Sequence, residues 1–417
     1  MHTPSDIAAA LSPPSLAASE PISTPAAWLA VASLAVSTFA SVTTEFLPVG
    51  LLTNIAAGLG VSEGTAGLMV TMPAVMAAIM GPLLIVLSGR LDRRTVVLVL
   101  SALLVVSNAL AAIAPNFATM LVARVMLGIV VGGFWTFAPS IVARLVPESM
   151  QPRAMSYVLA GISLATVAGV PAGALLGDLA GWRSAFVVSG VLAAVVLAMQ
   201  LRLLPRMPAQ RAIPARDLLK PMLRPAARSV LLVTLLMVTG HFLAYTYLRP
   251  MLDQIFGLSP SHITAMLLVF GVAGFAGTFV GGRLVGHSLR GTPLLAAALI
   301  AIALLFATTA TGGLVGAAIV AALWGGAFGL VPVAMTTWMQ KALPDASEAG
   351  QALLVVAFQI SISSGAFVGG QIADASGVAG SLKVGAALAI AAGALILVLG
   401  RKPIVAIQAA TVEECAR

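Results

Sequence analysis

Two ionisable residues stand where such residues are rare. Glu45 is the sole charge in an apolar run from about Trp28 to Leu52, and Arg124 lies inside another, 117–142. About 20 apolar residues cross a bilayer as a helix, so each run is long enough to span one. A carboxylate left ionised and unpaired at that depth costs several kcal/mol, which makes an intramembrane ionisable group a functional-site hypothesis by default. If the first span runs outward and the fourth inward, Glu45 lies seven residues before one outer end and Arg124 seven after the other. At a rise of about 1.5 Å per residue, both then sit roughly 10 Å inside the outer boundary. A buried arginine needs a partner, and Glu45 is the nearest plausible carboxylate. Two chemistries stay open: a static ion pair locking the two spans, or a switch in which protonating Glu45 releases Arg124. Pro48 and Gly50, just beyond, are expected to loosen the first helix on that side.

The elements that position these groups follow from composition. The 417 residues are 60% hydrophobic and 9% charged, against about a quarter charged for a soluble domain. The apolar runs are long and continuous, unlike the short alternating segments of an outer-membrane barrel. Hydropathy breaks predict twelve spans, near 28–52, 64–88, 96–114, 117–142, 155–179, 184–204, 229–252, 262–287, 292–311, 314–340, 349–374 and 380–400. With a cytoplasmic N-terminus, eighteen of the twenty-two Lys and Arg fall in inside loops and tails. The positive-inside rule therefore places both termini in the cytoplasm. That rule also accounts for the basic 202–228 connection, so no nucleic-acid partner is expected.

The two halves repeat each other. Gly128, Gly132 and Pro147 recur as Gly325, Gly329 and Pro344 at a spacing of 197, and Gly169, Gly173, Asp178 and Gly181 as Gly365, Gly369, Asp374 and Gly377 at 196. A duplicated bundle of this kind is a transporter signature, with its substrate site at the midplane between halves. The expected fold is an all-α membrane protein with twelve transmembrane helices in two six-helix bundles. Its domains are a disordered cytoplasmic tail (1–26), a first bundle (27–204), a cytoplasmic linker (205–228), a second bundle (229–400) and a cytoplasmic tail (401–417). A lone cysteine, Cys415, excludes an intramolecular disulfide. With no Walker phosphate loop or HExxH and four scattered histidines, neither ATP-driven transport nor a metal enzyme is expected.

Four patches carry a resemblance to the drug:proton antiporter branch of the major facilitator superfamily, over residues 28 to 400. They are Thr44-Glu45-Phe46-Leu47-Pro48-Val49-Gly50-Leu51-Leu52, Gly89-Arg90-Leu91-Asp92-Arg93-Arg94, Arg124-Val125-Met126-Leu127-Gly128, and Gly169-Val170-Pro171-Ala172-Gly173 with Gly177. The second is a degraded form of the family's gating loop, with Gly89 in the acid's usual slot and Asp92 three residues later. Within the branch, Gly132-Gly133-Phe134-Trp135, Tyr245-Thr246-Tyr247-Leu248-Arg249-Pro250 and Leu330-Val331-Pro332-Val333 look most like bacterial purine ribonucleoside efflux pumps. Sugar-efflux relatives share the Thr-Glu-Phe-Leu-Pro-Val start.

The resemblance implies a multi-pass protein of the bacterial inner membrane, driven by the proton gradient without a cofactor and working as a monomer. It favours the proton switch for Glu45 and Arg124. It implies a gating role for Arg90, Asp92, Arg93 and Arg94, and a leak-sealing role for Gly169, Pro171, Gly173 and Gly177, although close packing alone accounts for those glycines. Phe134, Trp135, His241, Tyr245, Tyr247, Trp338 and Gln359 are the mid-span candidates for substrate: aromatic faces to stack a purine, polar groups to bind a ribose. Residues of these types at mid-span are more often core than contact.

Overall fold

The structure is a computed structural model that describes residues 25–87, 91–208, 222, 224–309 and 313–400. Arg90, most of the 205–228 linker, residues 1–24 and the 401–417 tail lie outside the described residues. Among the described residues, twelve helical segments are long and apolar enough to cross a membrane: α1 Pro25–Leu59, α2 Glu63–Leu84, α3 Arg93–Ala112, α4 Phe117–Leu145, α5 Glu148–Ala180, α6 Trp182–Leu203, α7 Pro225–Tyr245, α8 Pro260–His287, α9 Gly291–Thr309, α10 Leu314–Ala342, α11 Ala349–Ser376 and α12 Val378–Leu399. No strand occurs among the described residues. An even number of crossings returns the chain to its starting side, here the near end; the opposite side is the far end.

Three spans depart from the expected boundaries. α1 is longer at both ends and passes through Pro48 and Gly50 without a break. α5 starts earlier and contains a wide turn, Ala165–Gly169, directly before Val170 and Pro171; such single wide turns often mark functional sites. α7 ends at Tyr245, and after Thr246 and Tyr247 a short helix, Leu248–Gln254, follows. Pro250 lacks the N–H that a continuous helix would direct to the Thr246 carbonyl, but is tolerated in the first turn of a new helix.

The duplication appears in the packing. α2 lies on α4 as α8 lies on α10, α1 on α5 as α7 on α11, and α3 on α6 as α9 on α12. The repeated glycines do equivalent jobs. A Cβ on Gly128 or Gly132 would strike α2 backbone at Pro73 or Ala77, and one on Gly325 or Gly329 would strike α8 backbone at Phe270 or Gly274. Bare backbone at these crossings lets the helices approach closely. Gly181 and Gly377 end α5 and α11 with φ of 81° and 79°, a left-handed conformation that glycine adopts without a Cβ penalty. Asp178 and Asp374 lie at equivalent depths, two residues before those two helix ends.

The halves meet along two seams, α2 against α11 and α5 against α8, with the short helix Leu248–Gln254 seated on α1. Along α5, the glycines turn to their own half: Gly161 packs on Thr38 and the α1 backbone, Gly169 on Thr43, Gly173 on Leu47 and Gly177 on Leu51. Pro171 sits at the junction where α5 resumes after its wide turn.

Candidate functional site

Arg124 of α4 is almost wholly buried, at 1% exposure. Its donors all go to backbone carbonyls: Nε to Met69 at 2.8 Å, Nη1 to Thr44 at 2.8 Å and Nη2 to Glu45 at 2.7 Å. Two of these carbonyls are available for a reason written in the chain. Pro48 lies four residues after Thr44 and Pro73 four after Met69, and a proline gives no N–H to the carbonyl four residues back. In a membrane interior an unsatisfied carbonyl costs several kcal/mol. Arg124 supplies both missing donors and so ties α1, α2 and α4 together.

This corrects the expected side-chain pair. The guanidinium meets the main chain of Glu45, and no ion pair joins it to the Glu45 carboxylate. It also explains why Pro48 fails to loosen α1. Glu45 is itself buried, at 4% exposure, and its carboxylate accepts no hydrogen bond among the described residues. The neighbouring hydroxyls of Ser41 and Thr43 are buried without partners as well. Asn108 of α3 steadies the adjoining turn, with Nδ2 3.3 Å from Thr44 Oγ1 and 3.0 Å from the Leu104 carbonyl. The arrangement leaves a carboxyl group free to take or release a proton beside a cation whose own bonds need not break.

Across from Glu45, the second half presents an aromatic cluster. Trp324 Nε1 donates to His241 Nδ1 at 3.1 Å, which leaves the proton of a neutral His241 on Nε2. The His241 ring stacks on Phe328 at 3.4 Å between centroids and on Tyr245 at 5.1 Å, while Tyr245 stacks on Phe270 at 5.2 Å. Phe46, next to Glu45 in sequence, crosses between the halves and stacks on Phe242 at 5.7 Å. His241 and Tyr245 are thus brought together, but their faces are covered by protein rings. Phe46 and Phe328 remain half-buried and form the cluster's open rim.

The other sequence candidates lie elsewhere. Phe134 and Trp135 meet edge-on in α4, in the first half. Trp338 is buried close to the near end of α10 and joins no ring contact of the cluster. Tyr247 is fully buried, donates from its hydroxyl to the Ala366 carbonyl at 3.0 Å and packs against Gly67 and Gly369. It belongs to the far-end seal rather than to a pocket wall. Gln359 is buried with Oε1 lacking a partner.

Every side-chain hydrogen bond described between the halves lies at the far end. Arg249 Nη2 reaches Asp178 Oδ1 at 2.7 Å in an ion pair whose side chains are 5% and 13% exposed, and its Nη1 donates to the Gly50 carbonyl at 2.7 Å. Asn54 supports the same carboxylate at 3.0 Å. Gln254 Nε2 donates to Glu63 at 2.9 Å. Asp374 accepts from Ser62 Oγ at 2.7 Å and from the Gly64 N–H at 2.9 Å. Sequence reasoning missed this latch, because its partners lie 71 to 312 residues apart. Its one visible signal was an Asp and an Arg placed close to far-end span boundaries.

At the near end, Asp92 caps α3 by accepting from the Arg94 N–H at 2.7 Å and also takes the Met207 N–H at 3.1 Å. Arg94 donates to the Leu201 carbonyl in the last turn of α6 at 2.6 Å, and Arg93 lies 4.8 Å over the Phe137 ring. These contacts of the gating loop go to the first half and the start of the linker, in a conformation whose described latch is at the opposite end.

The sequence model described as Major Facilitator Superfamily matches residues 34–366. Among similar curated proteins is one named transcription regulatory protein OpdE, from Pseudomonas aeruginosa. It is 35% identical over 381 residues, covering 90% of this chain and 94% of its own length. Proteins named purine ribonucleoside efflux pump NepI are 32% identical in Salmonella paratyphi B, covering 87% of this chain and 91% of their own, and 33% identical in Shigella sonnei, covering 88% and 93%. Among solved structures, a bacterial homologue of the human lysosomal transporter Spinster, in an inward-facing and unoccupied conformation, superposes with a TM-score of 0.72. Its identity is 17%, covering 91% of this chain and 98% of that one.

Proposed function

Because the chain belongs to the Major Facilitator Superfamily, we propose that it is a proton-coupled antiporter. It exports a small organic solute by alternating access across a bacterial inner membrane, with the near end and both termini in the cytoplasm. It acts as a monomer, without a cofactor. The observation that carries the coupling is Glu45: a buried carboxyl group with no hydrogen bond, beside an arginine held independently of it. In the proposed cycle, solute enters from the near end and lies on the open aromatic rim of Phe46 and Phe328. The far-end latch through Asp178, Arg249, Glu63 and Asp374 then parts to release it. A proton taken up by Glu45 from outside drives the reset.

The energetics are adequate. One charge crossing about 100 mV yields roughly 2.3 kcal/mol, and one pH unit adds about 1.4 kcal/mol. Together these sustain a gradient of a neutral solute on the order of 500-fold. Purine ribonucleosides are the first choice of solute, supported by the NepI matches over about nine-tenths of the chain and by the aromatic rim. Sugars or drugs carried by the same mechanism, or uncoupled exchange, are the alternatives. The test is efflux from vesicles under an imposed pH gradient, for a panel of labelled nucleosides, sugars and cationic drugs. Glu45→Gln should abolish pH-driven efflux and spare substrate binding. Undiminished pH dependence in that variant moves the coupling to another residue. The similarity to OpdE makes a sensor the second reading, and binding of solute without movement in wild type would favour it.

A further inference from the structure

The α5–α8 seam carries a slot on its membrane side that transport of a solute does not use. It is a cavity of about 460 Å³, with walls from both halves: Ala35 and Phe39 of α1, Tyr157, Ala160 and Leu164 of α5, and Phe275 of α8. At one end the seam closes where a Cβ on Gly271 would strike the Thr166 backbone. Toward the near end the slot opens beside Tyr157, whose ring meets Trp28 edge-on at 5.8 Å. Arg153 lies one helical turn before Tyr157, with its guanidinium 5.7 Å over the Trp28 ring.

Three features define what this slot fits. From Tyr157 to Val167, α5 rises about 15 Å at 1.5 Å per residue, the hydrocarbon depth of one leaflet. Trp28 and Tyr157 sit where interfacial aromatics anchor a span. Arg153 makes no hydrogen bond or ion pair among the described residues. By contrast Arg183, which lies 4.1 Å over Trp182 at the far end, donates to the Ala114 carbonyl at 2.9 Å. Neither cavity has a charged residue in its own lining: a second one of about 410 Å³ lies along 167–175 and 261–268, toward the far end of the seam, whereas Arg153 stands one turn beyond Tyr157 of the first.

We propose that the slot is a binding site for one anionic phospholipid, its acyl chain lying between α5 and α8 and its phosphate on Arg153. Since both halves form the walls, the lipid favours the conformation in which the slot exists and weights the transport cycle toward it. This reading does not depend on which solute is carried.

The experiment is native mass spectrometry of the purified full chain, titrated with phosphatidylglycerol and with phosphatidylcholine of the same acyl chains. Wild type should retain the anionic lipid about fivefold better, the equivalent of about 1 kcal/mol for one cation near the headgroups. Arg153→Gln should erase that preference, Ala160→Phe should reduce retention of both lipids by filling the slot, and Arg183→Gln should leave the preference intact. Wild-type preference in Arg153→Gln, equal loss in Arg183→Gln, or unchanged retention in Ala160→Phe would each overturn the assignment.

Discussion

Replacing Arg249 with Gln removes the cation of the far-end latch while keeping a polar side chain of similar reach. Breaking a buried ion pair by deleting one partner costs about 3–5 kcal/mol. Two features reduce that here: Asp178 keeps the Asn54 amide at 3.0 Å and is 13% exposed, and a glutamine amide can still donate to the Gly50 carbonyl. The expected loss is about 2 kcal/mol, borne only by the far-closed state, because an opened far end hydrates the uncompensated carboxylate. The closed-to-open ratio should therefore fall about 30-fold. Nitroxide labels at Ala57 and Ser261, exposed far-end positions in different halves, report the separation by pulsed electron resonance once Cys415 is changed to Ser. Asp178→Asn should give the same widened distribution, and the double variant should widen it less than the sum of the two, the signature of direct coupling. Single variants with the wild-type distance distribution would refute the idea that this pair holds the far end shut.

Arg124→Lys replaces a planar fork by a point charge that cannot serve three carbonyls, so thermal stability should drop by about 1–3 kcal/mol for the carbonyl left unsatisfied. Adding Pro73→Ala returns an N–H to the Met69 carbonyl and should recover part of that loss, whereas no recovery would contradict the role assigned to Arg124. Near the near end, Arg224 binds both carboxylate oxygens of Asp345 at 2.6 Å and holds that carboxyl below the usual aspartate range. A lowered carboxyl pKa contributes stability above its unfolded value, about 3.9, that disappears as pH falls through the folded value. Because the pair is exposed, Asp345→Asn should melt only slightly below wild type from pH 8 to pH 5, with the gap closing below about pH 4. A gap that grows on acidification would reverse the sign of the argument.

Much of the fold was legible because the signals are local. In hydrocarbon every backbone group must be satisfied within its own segment, so long apolar runs alone predicted twelve helices, and the 196–197 register predicted two equivalent bundles. Gly181 and Gly377 could be paired from that register, and their shared left-handed φ supplies the reason. Local breaks were harder to place: the wide turn before Pro171 and the end of α7 ahead of Pro250 depend on where freed carbonyls find donors.

The candidate site divides along the same line. Sequence alone placed Glu45 and Arg124 inside membrane spans; that they share one depth is fixed by the Arg124 bonds to the Thr44 and Glu45 carbonyls, because α1 runs to Leu59, past the outer end from which the depth was counted. Only the tertiary structure decided what Arg124 touches. The direction in which a side chain points, and which carbonyls two prolines leave open beside it, depend on how α1, α2 and α4 cross. The same holds for Arg249 and Asp178, two unremarkable charges near span ends that become a buried latch once the halves close upon each other at the far end.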